Sequence, residues 1–133
     1  MKLGVALMCV LFSFNSLFCQ DYSSANKKAI KTYEEAVSKF HLRYFGESLD
    51  LLDKVIKKDN GFVEAYGLRS VIYSQQNQYF KAIMELETGL NVNPDFLPYL
   101  HLDLAGCTLK LNNIQKGKSE QLYILINTIR KLN

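Results

Sequence analysis

The residue types that most often carry catalytic chemistry are sparse in this chain. Its two histidines are His41 and His101, and Cys107 is the one cysteine that follows Cys19. His101 and Cys107 fall on one predicted helix, where the helical repeat rotates them about 240° from each other. They do not share a helix face, and His41 lies two predicted helical units away. This spacing does not form a nucleophile–base pair.

Cys107 is more simply interpreted as a packing residue, because a buried free cysteine behaves as a small apolar side chain. An enzyme that uses Cys107 as its nucleophile is the competing interpretation. Cys9, Cys19 and Cys107 have no metal-ligand spacing, and the chain contains no Gly-rich phosphate loop. We therefore expect no catalytic residue, no cofactor and no metal site.

Composition is that of one globular domain. The 133 residues are 48% hydrophobic and 22% charged, which is enough apolar material for a core. Two prolines and seven glycines leave long uninterrupted runs that favour helix. The net charge of +3 is not concentrated in a Lys/Arg block, so we expect no nucleic-acid binding.

Residues 1–19 have the layout of a secretory signal peptide. Lys2 supplies a positive start, Leu3–Phe18 carries no charge, and a polar chain begins at Gln20. The apolar run is shorter than the roughly 20 residues of a membrane span, although a retained anchor is an alternative. Cleavage after Cys19 or acylation of Cys19 as a lipoprotein would both place the chain in the periplasm or cell envelope, with secretion as the alternative.

Any binding site must be positioned by helices, and the clearest pair lies in Val63–Phe96. This stretch predicts two amphipathic helices with a turn at Asn77, a residue that tolerates left-handed backbone. Pro94 disfavours helix at the residue before it and so closes the unit. The inward stripe of the second helix consists of Tyr79, Ile83, Leu86 and Leu90.

The preceding stretch predicts a similar pair of helices. From Ala25 there is no helix-breaking residue until Gly46, and Asp21–Ser24 supplies candidate N-caps. The position that corresponds to Ala82 holds Ser48, another small residue where two helices must approach closely. We expect the first turn to be one residue shorter than the turn of the central unit.

The last stretch fits the same pattern more loosely. A large–small–large spacing, as in a first helix, is formed by Leu102, Ala105-Gly106 and Leu109. We predict a turn at Asn112-Asn113, after which Ile114 and Gly117 correspond to Tyr79 and Ala82. The final helix then carries an apolar stripe of Leu122, Leu125, Ile126, Ile129 and Leu132.

The spacing of the central unit resembles the tetratricopeptide (TPR) pattern. The matching residues are Tyr66, Tyr73, Ala82, Leu86 and Pro94. The opening NKKAIKTYEEAVSKF after an exported leader is also similar to exported cell-envelope TPR proteins of Bacteroidetes. Arg69 and Ser70 depart from the family pattern, which has Leu and Gly there, and we expect Arg69 to face solvent at the domain edge.

The resemblance implies an all-α fold, an α-solenoid of about three TPR helical hairpins over residues 25–133, with units at about 25–62, 63–96 and 97–132. It also implies a non-catalytic protein-protein interaction module that binds a peptide or protein in a concave groove. By repeat register the groove residues are Glu34, Ser38, His41, Glu64, Gly67, Val71, Ser74, Gln75, Asp103, Cys107 and Lys110.

These groove residues argue against the Lys/Asn clamp with which some TPR domains hold a C-terminal carboxylate. Glu34, Glu64 and Asp103 instead favour a neutral or basic ligand, and a merely solvated face is the alternative. The apolar last helix predicts a contact with a partner or a second copy, that is, a possible homo-oligomer. A structural TPR remnant that self-associates through this helix is a further alternative.

Overall fold

The computed structural model describes residues 22–95 and 99–132, and this part of the chain is all-α, as predicted. It contains five helices and no strand within those ranges. The helices are α1 (Lys27–His41), α2 (Phe45–Lys58), α3 (Val63–Gln75), α4 (Tyr79–Val92) and α5 (Tyr99–Leu132). The predicted leader, residues 1–19, lies outside the described residues.

Consecutive helices pack against each other in a solenoid-like arrangement. The largest contacts join α1 to α2, α3 to α4 and α4 to α5, while smaller contacts join α3 to α2 and α1. The middle helix α3 therefore contacts α1, α2 and α4.

Among the described helices, none combines the length and apolar character needed to cross a membrane.

The two hairpin turns occupy equivalent places in the repeat. Asn77 has a φ of 59°, which confirms the predicted left-handed turn residue, and Arg43, at the equivalent position of the first hairpin, has a φ of 65°. Both turns have three residues, 42–44 and 76–78, so the prediction of a shorter first turn is wrong. Gly46 does not break the helix but lies in the first turn of α2.

The N-cap of α1 is Asn26 rather than a residue of the predicted 21–24 segment. Its side-chain oxygen accepts hydrogen bonds from the backbone N–H groups of Lys28, at 3.1 Å, and Ala29, at 3.2 Å. The Ser23 hydroxyl instead donates to the carboxylate of Glu64 on α3, and the Ser24 hydroxyl donates to that of Asp59, which directly follows α2. The two serines are not needed as caps of α1, because each donates to a carboxylate, and a charged acceptor makes a stronger hydrogen bond than a neutral one.

Small residues allow the helices of each hairpin to approach closely, as predicted. Ser48 and Ala82 are both fully buried at equivalent repeat positions. The Ser48 hydroxyl donates to the carbonyl oxygen of Ala36 on α1 at 2.8 Å, which satisfies a polar group inside the core.

The core has two apolar clusters, one towards each end of the stack of helices. The first cluster is formed by Ala29, Ala36, Leu52, Val55, Phe62, Ala65 and Ile72. The second is formed by Val63, Ala82, Leu86, Leu100 and Cys107. Helix α3 contributes to both clusters, and it therefore connects the first hairpin to α5.

The third hairpin is not formed, because α5 continues as one helix through the predicted turn at Asn112-Asn113. Asparagine costs only a fraction of a kilocalorie per mole relative to alanine inside a helix, and continuation keeps every backbone hydrogen bond. The apolar stripe also runs on from Leu111 to Ile114. Nothing in this stretch forces the chain to turn.

Arg69 does not face solvent, in contrast to the prediction. Its side chain is 19% exposed and forms ion pairs with Asp53 on α2, at 3.2 Å, and Glu85 on α4, at 3.1 Å. A long basic side chain on α3 thus bridges both hairpins.

Candidate binding groove

A groove lies between α3 and α5 and encloses a cavity of about 190 Å³. Its walls are Ser70, Val71, Ser74 and Gln75 from α3 and Leu102, Asp103, Gly106, Cys107 and Lys110 from α5. Six of these nine residues are among those predicted from repeat register. The structure therefore brings the central and C-terminal parts of the predicted site together.

The groove exists because α3 and α5 both pack on α4 and come close to each other at one end. A Cβ atom built on Gly67 would lie 3.3 Å from Cδ2 of Leu100, and one on Gly89 would lie 3.5 Å from Cδ1 of the same leucine. The buried Leu100 closes this end. Gly67 is consequently buried under α5, and the prediction that it forms open groove surface is wrong.

The groove has an apolar floor and polar rims. Cys107, 7% exposed, packs with the second core cluster, and the buried Ser70 hydroxyl donates to the Gly67 carbonyl oxygen at 2.6 Å. At the other end, Lys110 Nζ lies 5.5 Å from the centre of the Tyr79 ring, a cation–π distance. Gln75 accepts a hydrogen bond from Arg43 at 3.4 Å.

Glu64 is not available to a ligand, in contrast to the prediction, because the N-terminal segment covers it. The backbone N–H of Ser23 donates to Glu64 Oε1 at 2.7 Å, and the Ser23 hydroxyl donates to Oε2. The same hydroxyl oxygen accepts from the backbone N–H of Val63 at 2.9 Å. Ser23 thus caps α3, whose own N-cap residue Phe62 makes no side-chain cap bond.

The remaining predicted residues, all on α1, do not line the α3–α5 groove. Glu34 lines a separate depression of about 220 Å³ together with Tyr22, Tyr33 and Val37. Ser38 is exposed and donates to the carbonyl oxygen of Glu34 at 3.0 Å. His41 is exposed at the end of α1. The predicted site therefore divides into two separate surfaces.

Aromatic rings beside the α1 depression keep their hydroxyl groups neutral. Burial, followed by the charges of Glu34 and Glu64, raises the pKa of Tyr22 above its usual value. Burial and the charge of Glu64 raise the pKa of Tyr33 still further. Both phenols therefore stay protonated to a higher pH than a free tyrosine does.

The candidate catalytic residues are not assembled. Cys107 packs into the second core cluster, whereas His101 is exposed, with Nε2 3.3 Å from the carbonyl oxygen of Pro94. Within residues 22–95 and 99–132, no group of three His, Cys, Asp or Glu side chains could hold a metal ion.

Three residues of the groove are absent from the sequence-based prediction, namely Ser70, Leu102 and Gly106. The sequence pattern assigns Leu102 and Gly106 to the large–small–large spacing of a first helix, whereas the structure leaves both residues exposed at the groove.

No protein-family model matches this sequence, and no curated protein shows significant similarity to it.

Proposed function

We propose that the chain is a non-catalytic interaction module that binds a peptide or protein segment in the α3–α5 groove. The observation that carries this proposal is an open cavity with an apolar floor and polar rims between two helices. Such sites bury an anchoring side chain of the ligand and fix its orientation with hydrogen bonds.

The lining suggests the chemistry of the ligand. An apolar ligand side chain would contact Val71, Gly106 and Cys107, while Ser74 and Gln75 offer hydrogen bonds to its backbone. The α5 wall carries one acidic side chain, Asp103, and one basic side chain, Lys110. The acidic residue predicted on α3, Glu64, already accepts hydrogen bonds from Ser23. We therefore narrow the expected preference, which was for a neutral or basic ligand, to a neutral segment that carries an apolar anchor.

The resemblance to TPR proteins supports this proposal, because their first helices also line a peptide-binding surface. We further propose that the chain is exported to the periplasm or cell envelope and acts within an assembly there. The leader pattern of residues 1–19 and the similarity to envelope TPR proteins support that location.

The test uses Gly106, where an added side chain would meet open space and would therefore fill the groove without disturbing the core. Gly106→Gln is compared with Gly117→Gln, which changes an equally unobstructed glycine of the same helix outside the groove. Peptides selected by display on the wild-type chain are measured against both variants by fluorescence anisotropy. We expect Gly106→Gln to weaken binding by at least about tenfold, the loss of roughly one buried contact.

The matched control should bind as the wild type does. If the selected peptides bind Gly106→Gln and wild type equally, the groove is not the binding site. If display yields no peptide that binds the wild type, the peptide-binding proposal itself fails.

A further inference from the structure

One apolar stripe, interrupted only at Lys118, runs along α5 from Leu100 to Leu125. It begins with Leu100, Leu104 and Cys107, which belong to or pack against the second core cluster, and it continues with Leu111, Ile114, Leu122 and Leu125. When Lys118, between Ile114 and Leu122, is included, successive positions are three or four residues apart and therefore lie on the same side of a straight helix. The surface that α4 covers in the first part of α5 is therefore the same surface that continues beyond α4.

The covered part of the stripe ends near Lys110. There the lysine lies over the ring of Tyr79, the first residue of α4. Residues 112–132 extend roughly 30 Å further at 1.5 Å per residue. We call residues 112–132 the overhang.

The overhang leaves large apolar side chains open to solvent within the described part of the chain. Ile114 is 40% exposed, Leu122 57% and Leu125 56%. Contiguous apolar surface of this kind marks a contact with another molecule. Because the stripe does not rotate around the helix, whatever covers it must lie in line with α4, beyond Tyr79.

We propose that a second copy of this chain covers the stripe, with the two overhangs packed antiparallel about a two-fold axis near Leu122. In this pairing Lys118 lies opposite Leu125 of the partner subunit. The dimer contact continues the interface between α4 and α5, since each overhang takes the place of α4 for the other copy. Antiparallel packing also keeps the two helical bodies at opposite ends, where they do not collide.

A second copy fits this surface because it offers a helix of the same length with the same stripe. An isologous contact needs such self-complementarity. The end of each overhang would also reach the start of α4 in the other copy, where Phe80 is 64% exposed.

Lys118 is the polar interruption of the stripe, and it lies within the proposed dimer contact. Its aliphatic stem can lie along the apolar surface of the other copy while the ammonium group reaches water. Leucine at this position would remove the interruption in both copies at once.

The proposed dimer contact is independent of the groove. It is made by Ile114, Lys118, Leu122 and Leu125, and none of these four residues lines the groove. Dimer formation and the binding of a groove ligand can therefore be tested separately.

The test measures mass by sedimentation equilibrium, on the chain expressed from its full coding sequence and purified in the form that the cell leaves it. We expect the wild type to be a dimer and the double variant Leu122→Lys/Leu125→Lys to be a monomer. The matched control is Tyr123→Lys, which changes a neighbouring side chain that is 68% exposed but lies off the stripe. This control should remain a dimer.

Lys118→Leu provides a test in the opposite direction. We expect it to lower the dimer dissociation constant by at least about tenfold, because it adds apolar contact in both copies. Circular dichroism of each variant checks that the helical body is retained.

Several results would overturn the proposal. A wild-type monomer, or a wild type that associates only with a different protein, would show that a second copy does not cover the stripe. Equal loss of the dimer in Tyr123→Lys and in the double variant would show that the stripe is not the interface. A Lys118→Leu dimer no tighter than wild type would contradict the antiparallel pairing.

Discussion

Tyr33 lies where the N-terminal segment, α1 and the connection between α2 and α3 meet. The centre of its ring is 5.7 Å from that of Tyr22 and 4.9 Å from that of Phe62. Burial and the nearby carboxylate of Glu64 raise its pKa well above the ordinary 10.0. The ring therefore belongs to the core, while its ionisation is coupled to folding.

This coupling predicts a loss of stability in alkali. Above pH 10 the unfolded chain releases the Tyr33 proton while the folded chain keeps it, so the free energy of unfolding falls as the pH rises. Tyr33→Phe keeps the ring contacts and removes the titration, and we expect a shallower decline. The measurement is urea unfolding at several pH values between 8 and 11.

The exposed Tyr123 offers a matched control, Tyr123→Phe, for the loss of one phenol from the chain. If Tyr33→Phe and wild type declined with the same slope, the burial of Tyr33 would not control the alkaline transition. Burial also raises the pKa values of Tyr66 and Tyr99, so we expect the slope to become shallower rather than to vanish.

At the scale of the helices, Arg69 is one of the links between the two hairpins. From α3 it reaches Asp53 on α2 and Glu85 on α4. Burial raises the pKa of the Glu85 carboxyl, the positive charge of Arg69 lowers it, and Asp53 raises it again. Without Arg69, two carboxylates would remain close to each other and one of them would be largely buried.

We expect Arg69→Met to lower the free energy of unfolding by about 2 kcal/mol at pH 7, the usual cost of losing a hydrogen bond to a charged group. Removing the cation raises the pKa of Glu85 further, so the folded variant binds a proton more readily than the unfolded chain. The penalty should therefore shrink as the pH falls from 7 towards 4.5. Denaturant unfolding across this range measures it.

The double variant Arg69→Met/Glu85→Gln serves as the control, because it removes the unpaired carboxylate together with the cation. We expect it to recover most of the lost stability at pH 7. An Arg69→Met penalty that was the same at pH 5 and pH 7 would contradict this account of Glu85.

The hairpins could be predicted from the sequence because local chemistry determines them. Asn77 tolerates the left-handed turn, and Ser48 and Ala82 are small enough for close helix packing. Arg43 adopts the same left-handed conformation although arginine is not a residue type that favours it. Its position becomes clear only from the repeat, one unit before Asn77.

The groove could be predicted in part for a related reason. Residues that repeat register selected on α3 and α5, such as Val71 and Asp103, do line the α3–α5 groove. It could not show that Ser23 would donate a hydrogen bond to Glu64. The two residues are 41 positions apart, and Ser23 lies outside the repeat from which the groove residues were predicted. It also could not show that α5 continues, because a pair of asparagines is compatible with both a turn and a helix.

On the scale of the whole molecule, protection from solvent is very uneven. Helix α3 buries side chains in both clusters, including Val63, Ala65 and Ile72. The side chains of the overhang, by contrast, are largely exposed within the described part of the chain. A stack of this kind should open from its less supported end.

Hydrogen exchange measured by mass spectrometry should show this gradient. We expect peptides from residues 63–75 to exchange slowest and peptides from residues 112–132 to exchange fastest in dilute solution. If the overhang is covered by a second copy, its protection should rise with protein concentration while that of α3 stays constant.

In Leu122→Lys/Leu125→Lys the protection of the overhang should no longer depend on concentration. Protection of residues 112–132 that was high and independent of concentration in the wild type would instead indicate cover within a single chain.

The hydrogen bonds between Ser23 and Glu64 have a consequence for the order in which the molecule is built. The two residues are 41 positions apart, and synthesis proceeds from the N-terminus. At a typical rate of about 5–20 residues per second, Ser23 waits roughly 2–8 s before its acceptor has been made. During that interval the first hairpin can form, but Tyr22 has not yet met Phe62. Residues 22 and 23 therefore reach their final positions only after the whole first hairpin has been synthesised.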